Sequence, residues 1–225
     1  MVLIVAVSVV PMPSDGWREV APVVARAIED QPFAVAVYDK SHGNPAAMDA
    51  CMRLAFRSFL LGGMIVDTTP NLSAAAAWVP PGHTDSPVTT LRVLPQVVAW
   101  LRGIGFSDAR RLKGVNGRLD RWRIELLPEP HWCLAMLAVD PAKQRFGLGA
   151  ILTRHGLARA DATGAPAFVQ TDTAAKARFY EKLGFTIVEE RTDDKLPLTI
   201  WSMVHRVPTQ PAGEPAQRVT ATAMQ

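Results

Sequence analysis

Cysteine is scarce in this sequence. Cys51 and Cys133 are the two in the chain, both inside apolar patterns and at no metal-ligand or disulfide-framework spacing. That removes a cysteine-based metal site and a stapled scaffold, so no metal is expected, and the two thiols read as reduced, buried groups of a cytoplasmic protein. Charge of one sign is also in short supply: the net charge is +3 and no basic block stands out, which argues against nucleic acid as a partner. No apolar run reaches the ~20 residues that a bilayer demands, so no membrane partner is expected. The run from Met1 to Val10 stops at Pro11 and lacks a basic start, and reads as a first buried strand rich in β-branched residues. No Gly-Lys-Ser or Gly-Lys-Thr occurs, which excludes a Walker A loop.

What is present suits one α/β domain with an insertion: 225 residues with 48% hydrophobic content fill a real core. The chain is organised around Val139-Asp140-Pro141-Ala142-Lys143-Gln144-Arg145-Phe146-Gly147-Leu148-Gly149-Ala150. An apolar run from His131 leads into this stretch and a helical pattern from Leu148 to Ala160 leads out, giving strand, loop and helix. Such a junction binds anions. The first helical turn has amides without intrahelical partners, the helix dipole adds positive charge, and the two glycines let a phosphate approach the backbone. Arg145 adds a charge-assisted contact. A dinucleotide fingerprint would need a third glycine where Leu152 stands.

A second motif follows at Thr173 to Phe185, ending Phe179-Tyr180-Glu181-Lys182-Leu183-Gly184-Phe185. Ala175, Phe179 and Leu183 form one apolar stripe, Gly184 suits the closing position of a helix, and Tyr180 lies beside the stripe.

Gln144-x-x-Gly147-x-Gly149, with Val139-x-Pro141 before it, resembles the coenzyme A pyrophosphate loop of the GNAT-type N-acetyltransferases. The Phe-Tyr-Glu-Lys-Leu-Gly-Phe segment resembles that superfamily's fourth helix and its exit. Within the superfamily the chain is most similar to the puromycin N-acetyltransferase type, on Ala76-Ala77-Trp78-Val79-Pro80-Pro81, Glu129-Pro130-His131-Trp132-Cys133-Leu134, Ala167-Phe168-Val169-Gln170-Thr171 and Trp201-Ser202-Met203. The resemblance covers about residues 8–207 and implies the GNAT fold, a mixed central sheet splayed at the cofactor site. It also implies a cytoplasmic enzyme, a homodimer being compatible with the reading, that transfers the acetyl group of acetyl-CoA to a primary amine of a small molecule, aminonucleosides included, by direct attack in a ternary complex. Two other readings stay open: a non-catalytic acyl-CoA sensor and a peptide N-terminal acetyltransferase.

Carried onto this sequence, the resemblance places the pantetheine arm along Leu137 to Val139, with the Val139 N–H polarising the thioester carbonyl. It places the pyrophosphate on Gln144, Arg145, Phe146, Gly147, Leu148, Gly149 and Ala150, and makes Tyr180 the proton donor to the departing thiolate. Two positions depart from the pattern. Gln170 stands where the family often has a glutamate facing the substrate, and an amide cannot act as a base, which leaves Asp172, a water chain or a partly neutral amine. Lys176 stands where an asparagine commonly bonds the pantetheine, and is a candidate phosphate contact. Trp78 is a candidate wall of the amine pocket, with a core role equally open.

Further along the chain, the pattern predicts helices from Trp17, capped by Ser14 or Asp15, and from Pro45 to about Leu61, then a hairpin at 64–79. A helical insertion is expected at about 83–127, as two helices, with Gly114 and Gly117 weakening the second. Its cations, Arg110, Arg111, Lys113, Arg118, Arg121 and Arg123, read as the solvated side of an amphipathic helix. His83 and His131 read as structural. Residues 208–225 lack periodicity and are expected to be a disordered tail.

Overall fold

The computed structural model describes residues 8–39, 41–84 and 91–207. The expected tail, 208–225, and most of the expected first strand, residues 1–7, lie outside the described residues. The strands are β1 (Val10–Pro11), β2 (Ile65–Thr68), β3 (Ala74–Val79), β4 (Trp132–Val139), β5 (Ala167–Thr171), β6 (Thr186–Thr192) and β7 (Thr199–His205). They form one mixed sheet in the order β1-β2-β3-β4-β5-β7-β6. Every neighbouring pair is antiparallel except β4 and β5.

The helices are α1 (Trp17–Ile28), α2 (Pro32–Val37), α3 (Pro45–Gly62), α4 (Leu94–Leu126), α5 (Leu148–Thr163) and α6 (Ala174–Glu181). Period-two alternation along the strands sends side chains to two separate cores. Ala75 and Ala77 face α1, α3 and α4, whereas Ala74, Ala76 and Trp78 face α5 and α6. The alanine run in β3 lets helices approach the sheet closely. Trp78 is fully buried, and a Cβ added at Gly156 of α5 would overlap its ring. Gly156→Ala is therefore expected to cost ~1–3 kcal/mol by overpacking, read as a fall in the urea midpoint.

Local signals explain most boundaries. Asn44 accepts a hydrogen bond from the Ala47 N–H at the start of α3, Pro45 follows as its first residue, and Gly63 closes the helix at φ 86. For α1 the expected side-chain cap is absent: Gly16 takes that position without a side-chain bond, and the helix runs on through Pro22. Helix α2 escaped the periodicity because it has six residues, although Gln31-Pro32 is a helix-start signal.

The insertion forms two helices that meet at a kink, as expected, but the glycines expected to weaken the second do not break it. Gly114 and Gly117 sit inside continuous helix, while Gly105 interrupts α4 with φ 75 and ψ 166, a conformation open mainly to glycine. Leu91, Leu94, Val98 and Leu101, which repeat at helical spacing, are exposed, at 74% for Leu91. Burial comes from Ile104, Ala109, Val115 and Trp122 instead.

Several of the α4 cations stitch the helix to its own fold. Arg111 reaches Asp39 at 3.3 Å, and Arg118 makes two bonds to Asp193 at 2.5 and 2.9 Å. Burial pushes the Asp193 carboxyl up, but Arg118 and the N–H groups of Lys195 and Leu196 outweigh it and hold the group below its ordinary value. A depressed carboxyl stabilises the fold above its unfolded pKa, and that contribution is lost as pH falls through the folded value. Arg118→Met is expected to lower stability by ~2 kcal/mol at pH 7, with the gap to the parent closing below pH ~4. Denaturant titrations at the two pH values check this.

Candidate functional site

The site begins with a sheet that fails to close. β4 and β5 pair only at Trp132–Ala167, Cys133–Phe168 and Leu134–Val169, after which the strands part. The backbone pattern decides what faces the gap. Asp140 donates its N–H to the Ser73 carbonyl at 2.8 Å, and Val139 lies opposite Ala74, one step along. Antiparallel pairs alternate between bonded and non-bonded, so Val139, and with it Leu137, turn their N–H and C=O groups away from β3 toward the gap. The Val139 carbonyl accepts from the Gln144 side chain at 3.2 Å. Its N–H points to the same open edge.

The loop that follows is fixed by short-range bonds. Asp140 caps a 3₁₀ turn at Pro141–Lys143, its side chain accepting from the Ala142 N–H, and Arg26 of α1 ties to it at 3.0 Å. Arg145 and Gly147 are both left-handed, at φ 68 and φ 78. Gly147 is the N-cap of α5 and supplies no side chain, and no acidic residue occupies the first turn. The amides of Leu148, Gly149 and Ala150 precede the first intrahelical bond and are left for an anion. At Gly149 an added Cβ would meet Phe179 at 3.6 Å, an ordinary contact, so packing within the protein does not require glycine there.

A cleft of about 490 Å3 joins these groups. Its walls are Ala27, Ile28 and Gln31 at the α1–α2 turn, Leu137 to Val139 of β4, the loop from Lys143 to Ala150 apart from Phe146, and Lys176, Phe179 and Tyr180 of α6. The titratable side chains among these are Lys143, Arg145, Lys176 and Tyr180. Cations beside free amides, next to an apolar channel with an open strand edge, suit a phosphate-bearing ligand with a long amide-containing arm.

Tyr180 is buried, with its ring edge-on to Phe179 and Phe185 at 5.0 and 5.6 Å. Burial first, and the Asp172 charge second, push its phenol well above the ordinary value. The hydroxyl therefore stays protonated at neutral pH, as a donor needs.

Other residues flagged in the sequence stand elsewhere. Phe146 is 73% exposed and its side chain is not part of the cleft wall. Trp78 lies in the second core under α5 and does not reach the cleft. Gln170 is half-buried and donates to the Leu119 carbonyl and the Ser202 hydroxyl, each at 3.3 Å, so its amide ties β5 to α4 and β7. Asp172 has both oxygens engaged, by Lys176 at 2.5 Å and the Phe33 N–H at 2.9 Å, which speaks against it as a free base. The α4 cations do not line the cleft. His131 accepts from Arg123 at 2.8 Å and donates to the Glu129 carbonyl at 2.7 Å, and burial, with Arg123, pushes its pKa down, so it is neutral and structural.

Sequence reasoning missed the α1 wall, for which no motif speaks. Among the described residues no group of three or more His, Cys, Asp or Glu side chains is placed to hold a metal, and no helix is long and apolar enough to cross a membrane. The thiols of Cys51 and Cys133 are free, with burial pushing the latter up to about 11.

Comparison with known proteins agrees with this geometry. A family model described as an acetyltransferase (GNAT) domain matches residues 98–187. Among solved structures, one described as histone acetyltransferase HPA2 and related acetyltransferase of Corynebacterium glutamicum superposes with TM-score 0.66 at 18% identity, over 92% of this chain and 98% of that one. Arylalkylamine N-acetyltransferase 2 of Aedes aegypti gives TM-score 0.63 at 14% identity, over 90% and 99%. The ribosomal-protein-S18-alanine N-acetyltransferase of Escherichia coli gives 0.51 at 14%, over 92% and 98%. The chain has the α/β GNAT fold, with a mixed seven-stranded sheet. The domain match lies over the loop and over the β4, α5 and α6 walls of the cleft, and the chain is an N-acetyltransferase whose cosubstrate is acetyl-CoA.

Proposed function

We propose that this enzyme acetylates a primary amine of a small molecule by direct attack in a ternary complex. The observation that carries the reading is the open edge of β4 at Leu137 and Val139, facing the same cleft as the free amides of the loop and Tyr180. Acetyl-CoA supplies an activated thioester there. Leu137 and Val139 offer backbone groups to its pantetheine arm, and the Val139 N–H is a fixed dipole aimed where negative charge develops on a carbonyl oxygen. The amides from Arg145 to Ala150, with the Arg145 side chain, hold the pyrophosphate. Gln144 holds the loop to the strand end through the Val139 carbonyl. Tyr180 donates from its hydroxyl to the leaving sulfur.

Gln170 supplies no base, since an amide takes no proton, and its amide is engaged by Leu119 and Ser202. With Asp172 engaged on both oxygens, the amine is taken in its neutral form, with water carrying its proton away. Thiol release over a panel of small amines, aminonucleosides and peptide N-termini tests this. Turnover on small amines supports it, and turnover confined to peptides transfers the assignment to a peptide acetyltransferase. Thermal stabilisation by acetyl-CoA without turnover on any amine would make the chain an acyl-CoA sensor.

A further inference from the structure

We propose that Asp172 is a positioning residue that ties two walls of the cleft together, the α1–α2 turn and α6; the proposal rests on reading that cleft as the acetyl-transfer site. Asp172 stands just beyond the end of β5, with a side chain 7% exposed. Its Oδ1 takes the Lys176 ammonium at 2.5 Å, and its Oδ2 takes the Phe33 N–H at 2.9 Å from 139 residues away in the chain. Lys176 and Tyr180 line the cleft on one side, and Gln31, two residues before Phe33, lines it on the other. One buried carboxylate thus bridges segments that share no secondary structure.

The turn needs such a tie. α2 has six residues, and Gln31 at its N-cap makes no capping bond, its side chain donating back to the Ala27 carbonyl of α1 instead, so the helix is too short to hold its own start. Phe33 is near the start of α2, where amides lack intrahelical partners, and the distant carboxylate satisfies it. The same arrangement accounts for Lys176. Its ammonium is spent on Asp172 within the helix turn, so its charge serves the wall of the cleft rather than a phosphate. A second tie, Arg26 to Asp140, joins α1 to the loop on the other flank. Asp172 also lies close enough to Tyr180 for its charge to act on the phenol.

Three variants separate the tie from the charge. Asp172→Ala removes both bonds, Asp172→Asn keeps an oxygen for the Phe33 N–H but loses the charge, and Lys176→Met leaves the Phe33 bond alone. NMR-detected hydrogen exchange at the Phe33 amide, without ligand, is expected to speed up roughly 10- to 100-fold in Asp172→Ala and less than threefold in the other two. Amine kcat/KM should fall by a similar factor in Asp172→Ala and recover to within about threefold of the parent in Asp172→Asn. Unchanged exchange in Asp172→Ala, or an Asn variant as impaired as the Ala variant, overturns the proposal. Should Asp172→Ala not fold, Asp172→Ser, too short to reach Phe33, makes the same comparison. If the parent acetylates no amine, the functional reading fails by itself while the exchange data still decide the tie.

Discussion

Gly147→Val will weaken acetyl-CoA binding by ~100-fold or more, equivalent to about 2.7 kcal/mol, measured by calorimetric titration. Two causes combine. Gly147 has φ 78 and ψ 3 at the N-cap of α5, a conformation that a β-branched residue adopts only with strain. Its flank is open, with nothing within 4 Å of an added Cβ, so the branched side chain would project into the space that a phosphate must enter to reach the amides. Strain alone would cost stability without touching the ligand, and the same helix contains the control. Gly164 closes α5 at φ 67 and ψ 9, also with open space around it, at the end away from the loop. Gly164→Val is expected to lose a similar ~1–3 kcal/mol of stability and to bind acetyl-CoA within a few-fold of the parent. Equal loss of binding in both variants would show that strain, not blocked approach, explains the effect.

Tyr180→Phe separates chemistry from binding. Ring packing against Phe179 and Phe185 survives the substitution, so fold and acetyl-CoA affinity should hold within a few-fold. Turnover should fall by ~10- to 1,000-fold, the span between a partly replaced and a fully lost donor. The raised pKa sharpens what the hydroxyl does. A phenol held above its ordinary value gives up its proton reluctantly, and a free thiol near 8.5 is already a tolerable leaving group. Tyr180 therefore contributes chiefly as a neutral hydrogen-bond donor to developing negative charge. It follows that its ionisation produces no loss of activity up to pH ~10, its ordinary value. The only other tyrosine, Tyr38, is buried with its oxygen 3.0 Å from Cys51 Sγ and offers no substitute. Single-turnover thiol release, with binding measured separately, decides the matter; a variant that turns over like the parent would remove the hydroxyl from the mechanism.

The two predictions draw on different kinds of information. Gly147 and Tyr180 stand out in the sequence because each belongs to a local motif: a glycine pair at a strand-to-helix junction, and an aromatic beside an apolar helix stripe. Local motifs are legible because the physics behind them acts over a few residues, through φ/ψ restriction, unpaired end amides and helical period. The same reasoning located α3 by Asn44, Pro45 and Gly63. It expected two helices in the insertion, and these meet at Gly105, but it took Gly114 and Gly117 as weak points of the second, because propensity weighs glycines alike without regard to where they fall in the fold.

Trp78, Gln170, Asp172 and Lys176 lie on the other side of that line. A tryptophan on a hairpin reads equally as pocket wall or core, and what put Trp78 in the core is the absence of a side chain at Gly156, in a different element. Gln170 and Asp172 are polar groups at a strand end whose partners, Leu119 and Phe33, are 51 and 139 residues distant. The sequence by itself determined the strand–loop–helix junction, the glycines that open it and the helix that carries Tyr180, since each depends on neighbours along the chain. Only the tertiary structure decided that β4 and β5 part after Leu134, that the end of α1 walls the cleft and that Asp172 bridges its sides. Strand separation and buried ion pairs are set by which surfaces the folded chain brings together, and no short window of residues holds that information.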